Sequence, residues 1–405
     1  MNFDTTRIRF ALAFLREPQR VLTVCLTVML GALALILADG FIDRTFFVFR
    51  EDIIRAHFAH LQVVPENEDV RLGGDAQRGE LRQAVEQALA DYPGTVVAAR
   101  LSFSGLIAHG ERTVGFLGEG VEPDREAAMS KAVVLSEGRA LADDDPDRVL
   151  LGEGLAKSID AGVGDTVTLL VNLPAGGVNA IEAVVGGIFH TATKAYDDRA
   201  LRLPMLAAHR LMRSEDVSRL MILLPDTGDA GPAAQRLRPA LAGQPVQVKV
   251  WNELADFYNK TVDLFSRQLG FVRTVILVIV LLATSNTMAR NVLEQQREIG
   301  TMMALGARRR HVARKYVGQA LVMGVVGGLA GVVLGGAIAA IVTRIGIPMP
   351  PPPGTAHGFT GGISFSAGSA AQAFLSVLAV CLLASLLPAL RASRVTIVDA
   401  LRSDR

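Results

Sequence analysis

The sequence has very few cysteines. Cys25 and Cys381 are the two among its 405 residues, and each lies inside a long apolar block. A disulfide-stabilised fold needs several cysteines outside such blocks, so this class of protein is excluded. Cysteine usage therefore carries no information about the redox compartment.

An excess of charge of either sign is also missing. The chain has 41 lysines and arginines against 40 aspartates and glutamates, which gives a net charge of +1. Binding to nucleic acid or to a strongly acidic partner draws on a clear excess of basic residues. The composition therefore predicts no nucleic-acid partner.

The common sequence motifs of enzymes are absent. There is no G-x-x-x-x-G-K-S/T phosphate loop, no nucleophile elbow and no zinc motif. His57 and His60 could bind a metal from one helix face, but no further Cys, His or carboxylate cluster completes such a site. We therefore interpret both histidines as residues of a solvated helix face. We predict no catalytic residue, no metal and no cofactor in this chain.

Apolar residues are what the chain has in excess. Half of its residues are hydrophobic, and its mean hydropathy is +0.34. They are concentrated in four blocks, each near the ~20 residues that a helix needs to cross a ~30 Å hydrocarbon core. No small-residue cleavage site follows the first block, so we do not interpret it as a signal peptide. We predict transmembrane helices at 21–38, 269–289, 316–342 and 373–390.

Lysines and arginines flank these blocks asymmetrically. The N-terminus, the loop after the second block and the C-terminal tail are rich in arginine, whereas the loop between the third and fourth blocks contains only Arg344. Basic residues near transmembrane helices stay on the cytoplasmic side. This rule places 1–20, 290–315 and 391–405 in the cytoplasm, and it places 39–268 and the proline-rich loop 343–372 on the outer side.

The outer segment 39–268 is long enough for one or two folded domains. Its two ends, 41–58 and 253–268, have helical spacing and are predicted to be stalks. Between them, helical spacing at 81–90 is mixed with short β-type runs and turns. The runs are 61–64, 114–117, 133–135, 167–171, 181–185 and 246–250. We therefore predict a mixed α/β domain that stands on two helices.

The cytoplasmic loop after the second block has the pattern of a short amphipathic helix. Ile299, Met302, Met303 and Leu305 would supply apolar contacts, and Gly306 would end the helix before a cluster of arginines. Such a helix either docks in the groove of a partner protein or lies on a surface of anionic lipid. These residues alone favour neither interpretation.

Three stretches of the sequence resemble a known family. EQQREIGTMMALGARRRHV is similar to the signature of FtsX-like permeases, the membrane subunits of MacB-type ABC transporters. LLPALRASRVTIVDALR is similar to the tail of that family, and VLLGEGLAKSIDAGVGDTVTL is similar to its periplasmic core domain. The resemblance implies a membrane α-helical fold in the bacterial inner membrane. Four transmembrane helices would carry a large mixed α/β periplasmic domain inserted between helices 1 and 2.

The resemblance also implies residue roles. In that family the cytoplasmic loop holds a coupling helix that docks on an ATPase. This role carries over to Glu294, Arg297, Glu298, Ile299, Met302, Leu305, Gly306 and Ala307. Close helix packing carries over to the glycines of the third span, which are spaced by three or four residues. These are Gly324, Gly327, Gly328, Gly331 and Gly335.

The resemblance implies partners as well. Because the phosphate loop is missing, ATP and Mg are expected on a separate ATPase, present in two copies. A second permease half is expected, as a homodimer, together with membrane lipids and a periplasmic carrier or adaptor. The connection between Val171 and Ile181 is short for the hook-like loop with which lipoprotein-sorting members contact their carrier.

Two functions remain open at this point. The first is a permease subunit that couples ATP hydrolysis to extrusion or transfer of a lipoprotein, lipid, peptide or drug by mechanotransmission. The alternative is a signalling subunit in which the same motion regulates a periplasmic partner. The large outer domain favours transport, because the signalling members usually have smaller ones.

Overall fold

The computed structural model describes residues 18–67, 70–129, 132–350 and 358–394, without the side chains of 18–21, 75, 128, 359 and 394. Most of the predicted cytoplasmic N-terminus, most of the proline run that begins at Pro348, and the end of the C-terminal tail lie outside these residues. The chain divides into two compact units. The membrane unit comprises the residues up to Phe46, Val262–Pro348 and those from Thr360. The outer unit comprises Phe47–Thr261 and Met349–Phe359.

Helix α1 extends far beyond the apolar block that predicted it. It runs over Pro18–Ile53 and continues as one π-helical turn, Ile54–Phe58. Ala59 closes this turn by donating its N–H to the carbonyl of Ile54 at 2.6 Å. Its φ is +51° and its ψ is −172°, a conformation that a residue with a Cβ adopts at a cost of about 1–3 kcal/mol. The end of α1 is therefore held by its surroundings and not by local preference.

The outer unit alternates strands with short helices. The strands are β1 Leu61–Pro65, β2 Val96–His109, β3 Arg112–Val121, β4 Val134–Gly138, β5 Arg148–Gly152, β6 Thr166–Asn172, β7 Val178–His190, β8 Ala200–Pro204, β9 Arg219–Leu223 and β10 Val246–Val250. The helices are α2 Asp75–Ala88, α3 Pro123–Met129, α4 Glu153–Ile159, α5 Lys194–Asp197, α6 Met205–Met212, α7 Ala230–Ala240 and α8 Trp251–Leu254. The predicted β-type runs all lie in these strands or overlap them.

The described strands of the outer unit form one mixed sheet. Its order is β10-β1-β9-β2-β3-β8-β5-β7-β4, and β6 pairs with both β2 and β7. The pairs β3–β8 and β5–β7 are parallel, and the others are antiparallel. Side chains alternate between the two faces along each strand. On β2, for example, Val97 and Ala99 belong to the main core, whereas Ala98 lies on the opposite face with Ile54 from the end of α1.

The last part of the chain is mainly helical. Helix α9 spans Asp256–Glu294, α10 spans Gln296–Ala304, α11 spans Arg309–Ile345 and α12 spans Ala367–Arg394. Two short strands, β11 Ile347–Met349 and β12 Phe359–Gly361, lie between α11 and α12. Within the described residues, α1, α9, α11 and α12 are the four helices long and apolar enough to cross a membrane. The predicted fold class is thus confirmed.

Helix α9 shows why the helices are longer than their apolar blocks. It begins at Asp256, thirteen residues before the predicted span at 269, and its first turns are polar. The pairs Asp256–Lys260 and Asp263–Arg267 are four residues apart, with N–O distances of 2.6 and 2.8 Å. Such pairs stabilise a helix by roughly 0.2–0.5 kcal/mol each in water. Charge pairing therefore extends the helix where hydropathy no longer indicates a span.

Candidate functional site

The predicted cytoplasmic loop folds as helix α10, which is held against the membrane unit by one apolar side. Ile299 is 1% exposed and lies in a cluster with Val292 of α9, Val312 and Tyr316 of α11, and residues of α12. Gly300 is buried beside it. Helix α10 is thus fixed to the ends of three long helices and is not a free surface segment.

The end of α10 is shaped by a glycine. Leu305 caps the helix, and Gly306 follows with a φ of +93°. Gly306 donates its N–H to Met303, and Ala307 donates its N–H to Met302, each at 3.0 Å. This is the double hydrogen bond of a Schellman motif, which satisfies carbonyls that would otherwise lack donors. The turn leaves Leu305 with 85% of its surface exposed.

Charged residues frame the outward side of α10. Glu298 accepts a hydrogen bond from Lys315 Nζ of α11 at 2.8 Å. Tyr316 donates its hydroxyl to the side-chain oxygen of Gln295 at 3.1 Å. These bonds tie the N-terminal end of α10 to the start of α11. Glu298 is therefore already paired within the chain, while remaining exposed enough for a second cation to approach.

The predicted coupling residues divide into two groups. Ile299 points inward and positions the helix. The others form an outward surface in which Glu294, Arg297, Glu298, Leu305 and Gly306 are exposed and Met302 and Ala307 are half-buried. A large exposed leucine at the end of a fixed helix has the geometry of an anchor for a partner.

The five predicted glycines of α11 are all buried in the membrane unit. They form two rows. A Cβ added at Gly327, Gly331 or Gly335 would lie 2.6–3.0 Å from atoms of α1, and one added at Gly324 or Gly328 would lie 2.9 Å from side chains of α12. Glycine thus lets α11 approach two neighbouring helices at once, which a helix with side chains at these positions cannot do.

The prediction for the two histidines is wrong. They do not share a solvated helix face, because the helix ends at Phe58 and His60 is 1% exposed. His60 Nδ1 accepts a hydrogen bond from the N–H of Leu224 at 2.9 Å, and its Nε2 lies 3.0 Å from Thr227 Oγ1. Thr227 in turn donates to Glu51 of α1 at 2.6 Å. Because Nδ1 accepts from Leu224 and Thr227 donates to Glu51, the proton of the His60 ring lies on Nε2, which donates to Thr227. These hydrogen bonds connect α1 to the loop after β9.

His57 and His60 belong to no metal cluster of the described residues. Within the described part of the chain, no group of three or more His, Cys, Asp or Glu side chains has the arrangement of a metal site. His57 lies instead against the ring of Tyr196, with 4.3 Å between ring centroids. Both histidines are components of the packing around the end of α1.

Acid is expected to destabilise the outer unit. Burial lowers the pKa of His57 and of His60 to about 4, from 6.5. Between these values the unfolded chain binds protons that the folded chain does not, so the free energy of unfolding falls as the pH falls from 6.5 towards 4. The loss is on the order of 3 kcal/mol for a buried histidine.

Urea unfolding followed by the fluorescence of Trp251, the single tryptophan, measures this effect. The urea midpoint of the wild-type chain should decrease between pH 7 and pH 4.5. His60→Asn keeps an acceptor for Leu224 and does not titrate, so its midpoint should depend less on pH. A wild-type midpoint that stays constant over this range would contradict the expectation.

Sequence reasoning missed a group of buried ions at the end of α1. Arg100 and Arg202 are 0% and 2% exposed, and they contact Glu119 and Glu126, which are 8% and 5% exposed. In the sequence Arg100 and Arg202 each stand between apolar residues, as a charged residue does in a strand with one solvated face. The one local signal is an arginine inside a short, otherwise apolar strand such as β8, ALRLP.

Two family models match the chain. Residues 270–397 match the FtsX-like permease C-terminal domain, and residues 21–240 match the MacB-like periplasmic core domain. The first match contains α10 and the glycines of α11. The second contains the end of α1 and most of the sheet.

Similar proteins are larger than this chain. The macrolide export ATP-binding/permease protein MacB of Hyphomonas neptunium is 30% identical over 212 residues, which are 51% of this chain and 31% of that protein. The pyoverdine export ATP-binding/permease protein PvdT of Pseudomonas savastanoi pv. phaseolicola is 27% identical over 215 residues, 51% and 30% of the two chains. The chain therefore spans about three tenths of the length of these relatives. Among solved structures, the periplasmic region of MacB from Actinobacillus actinomycetemcomitans is 14% identical over 52% of this chain and 96% of that one, with a TM-score of 0.36.

Proposed function

Because this chain belongs to the family of FtsX-like permeases with a MacB-like periplasmic core domain, we propose that it is the permease subunit of an ABC transporter in the bacterial inner membrane. The observation that carries the proposal is α10, a helix fixed to the membrane unit that presents Leu305 and several charges outward. In this proposal a separate cytoplasmic ATPase binds ATP and Mg and docks on that surface.

The proposed assembly contains two copies of this chain and two ATPases. An ABC transporter forms its two nucleotide sites between two ATPase subunits, and each α10 serves one of them. The test is the mass of the complex after co-expression with a candidate cytoplasmic ABC ATPase of the same organism, purified in nanodiscs. We expect two copies of each protein and ATP hydrolysis. An active complex with one copy of this chain and no second permease would refute the proposed assembly.

Mechanotransmission is the mechanism we propose. Helix α1 is continuous from Pro18 into the outer unit, and α9 is continuous from Asp256 into the membrane unit. Helices transmit displacement along their axes because their backbone hydrogen bonds run in that direction. ATP binding on the partner would thus move the outer unit. The substrate would not pass between the four described membrane helices of this chain.

The substrate is proposed to be a periplasmic or lipid-linked molecule that is exported. Two relatives are named for export of macrolides and of pyoverdine. The turn between β6 and β7 is closed by hydrogen bonds between Leu173 and Gly177 at 2.9 Å and between Gly176 and Leu173 at 3.0 Å. Such a compact turn offers no long loop for a lipoprotein carrier, which favours export over handover. A periplasmic adaptor remains part of the proposal.

Cysteine labelling tests the proposed topology. In a chain with Cys25 and Cys381 replaced by alanine, Ala175→Cys lies in the exposed β6–β7 turn and Ala304→Cys lies at the exposed end of α10. A membrane-impermeant maleimide added to spheroplasts should label Ala175→Cys at once and Ala304→Cys only after the membrane is opened. The reverse order would overturn the proposed orientation.

A further inference from the structure

The end of helix α1 is bound by two buried arginines. Arg202 Nη2 donates to the carbonyl of Ala56 at 3.0 Å, and Arg100 Nη1 lies 3.5 Å from the same oxygen and 3.4 Å from the carbonyl of His57. Carbonyls at a helix C-terminus lack partners and carry partial negative charge. The two guanidinium groups satisfy them where water has no access, so the last turn of α1 is part of an ionic cluster.

Two glutamates complete this cluster. Glu126 pairs with Arg100 through both carboxylate oxygens and accepts from Arg202 Nη1 at 3.1 Å. Glu119 lies 3.4 Å from Arg100 and 3.5 Å from Arg202, and it accepts from Arg219 at 2.8 Å. Burial alone would raise the pKa of Glu119, but the three arginines together lower it to about 2. The carboxylate is therefore ionised at any physiological pH.

The cluster connects the end of α1 to several elements of the outer unit. Arg100, Glu119, Arg202 and Arg219 lie on β2, β3, β8 and β9, four strands of the sheet, and Glu126 lies on α3. The chain from Glu51 through Thr227 to His60, described above, adds a second tie to the same helix. A displacement of α1 would therefore apply force to all of these elements at the same time.

A buried ionic cluster transmits a displacement of α1 to the sheet more rigidly than apolar packing does. Apolar contacts are non-directional, so one surface can slide over another at little cost. Separating a buried ion from its partners leaves an uncompensated charge, which costs several kcal/mol. The cluster therefore resists sliding of the helix end in any direction.

We infer that the cluster of Arg100, Arg202, Glu119 and Glu126 is the mechanical joint through which α1 moves the sheet of the outer unit. This inference rests on the proposed function, in which α1 carries movement that starts at the ATPase. Arg202 is the residue on which it can be tested most sharply. With Arg202 replaced by glutamine, Arg100 still pairs with Glu126 and Arg219 still pairs with Glu119, so each carboxylate keeps a cation.

The test uses two spin labels within the outer unit. Phe47→Cys places one on the exposed side of α1, and Ala175→Cys places the other in the β6–β7 turn. In the wild-type background the distance between them should be narrowly distributed and unaffected by nucleotide, because helix and sheet move as one body. In Arg202→Gln the distribution should broaden. Arg82→Gln is the control, since it breaks a half-buried pair with Glu122 (2.6 and 2.7 Å) that does not touch α1.

Activity measurements separate a joint from a merely structural residue. In nanodiscs with the ATPase, Arg202→Gln should keep the bound ATPase and its hydrolysis of ATP. In intact cells the same variant should lose the export of a macrolide used as the probe, whereas Arg82→Gln should keep both activities. Trp251 fluorescence verifies that the variant is folded. If Arg202→Gln does not fold, Arg202→Lys takes its place, because one ammonium group cannot bind both Ala56 and Glu126 in the same geometry.

The results of these experiments distinguish a failure of the inferred joint from a failure of the proposed permease function. A folded Arg202 variant with the narrow wild-type distance distribution would overturn the joint. A wild-type chain that binds no ATPase would refute the proposed function, and the label distances, which need no ATPase, would still decide whether the cluster holds the helix to the sheet.

Discussion

Leu305→Asp is expected to release the ATPase from the permease while leaving the membrane unit and the outer unit folded. Leu305 is 85% exposed at the end of α10 and contributes nothing to the buried cluster around Ile299. Truncating a central apolar anchor of an interface typically costs ~2 kcal/mol or more, and a buried unpaired carboxylate costs more than truncation. The measurement is the amount of ATPase that co-purifies with each variant at matched expression.

Gly306→Val is expected to have a similar effect for a different reason. A Cβ at Gly306 would meet nothing within 4 Å, so no clash arises. The cost comes from the φ of +93°, which a β-branched residue adopts very unfavourably. The Schellman turn would open and displace Leu305. Gly306→Asn should retain most ATPase binding, because asparagine tolerates left-handed conformations better than valine.

A control separates docking on a protein from docking on lipid. Ile345→Asp places the same charge on another exposed apolar residue, at the far end of α11, where 76% of the surface is exposed. It should keep the full amount of ATPase. If α10 were a lipid-surface helix, Leu305→Asp would weaken membrane contact but leave the co-purified ATPase unchanged. Normal ATP hydrolysis coupled to transport in both Leu305→Asp and Gly306→Val would count against the coupling helix.

The sequence predicted the membrane helices and α10 because both depend on short-range patterns. Four apolar blocks and the position of arginines are sufficient for the number of spans and the order of the elements. Helical spacing at 41–58 and 253–268 also predicted that the first and second spans continue as stalks, and α1 and α9 cover most of these segments. The exact ends of the two helices could not be predicted in this way, since they depend on local charge pairs and on contacts within the outer unit.

The direction in which a side chain points was harder to predict. Ile299 and Leu305 both belong to the apolar pattern of α10, yet one is 1% exposed and the other 85%. Periodicity identifies an apolar stripe but not whether the stripe packs on the chain's own helices or stays available to a partner. The end of the helix at Ala304 turns Leu305 away from the stripe, which a helical wheel does not represent.

The ionic cluster at the end of α1 was beyond prediction for another reason. Arg202 lies between two buried leucines of β8, and Arg100 lies between buried residues of β2. Alternation of charged and apolar residues normally indicates a strand with one face in water. Here the second face is covered by the last turn of α1 and by α3, elements that are distant in sequence from β8.

Gly331→Leu is expected to disrupt the membrane unit strongly. A Cβ at Gly331 would lie 2.6 Å from Ala32 Cβ and 2.7 Å from the carbonyl oxygen of Met29, both on α1. One of these neighbours is backbone and cannot rotate away, so α1 and α11 must separate. Overpacking of this kind costs about 1–3 kcal/mol or more. Gly318→Leu on the same helix is the matched control, because a Cβ there meets nothing within 4 Å.

The thermal stability of the purified chain in detergent measures this difference, and the mass of the same sample identifies its origin. A glycine row on a transmembrane helix often mediates association between two copies of a chain. Here Gly327, Gly331 and Gly335 already contact α1 of the same chain. Gly331→Leu should therefore lower the unfolding temperature of the single chain, with Gly318→Leu close to wild type. A Gly331→Leu chain of wild-type stability that fails only to pair would show instead that this row serves the second permease half.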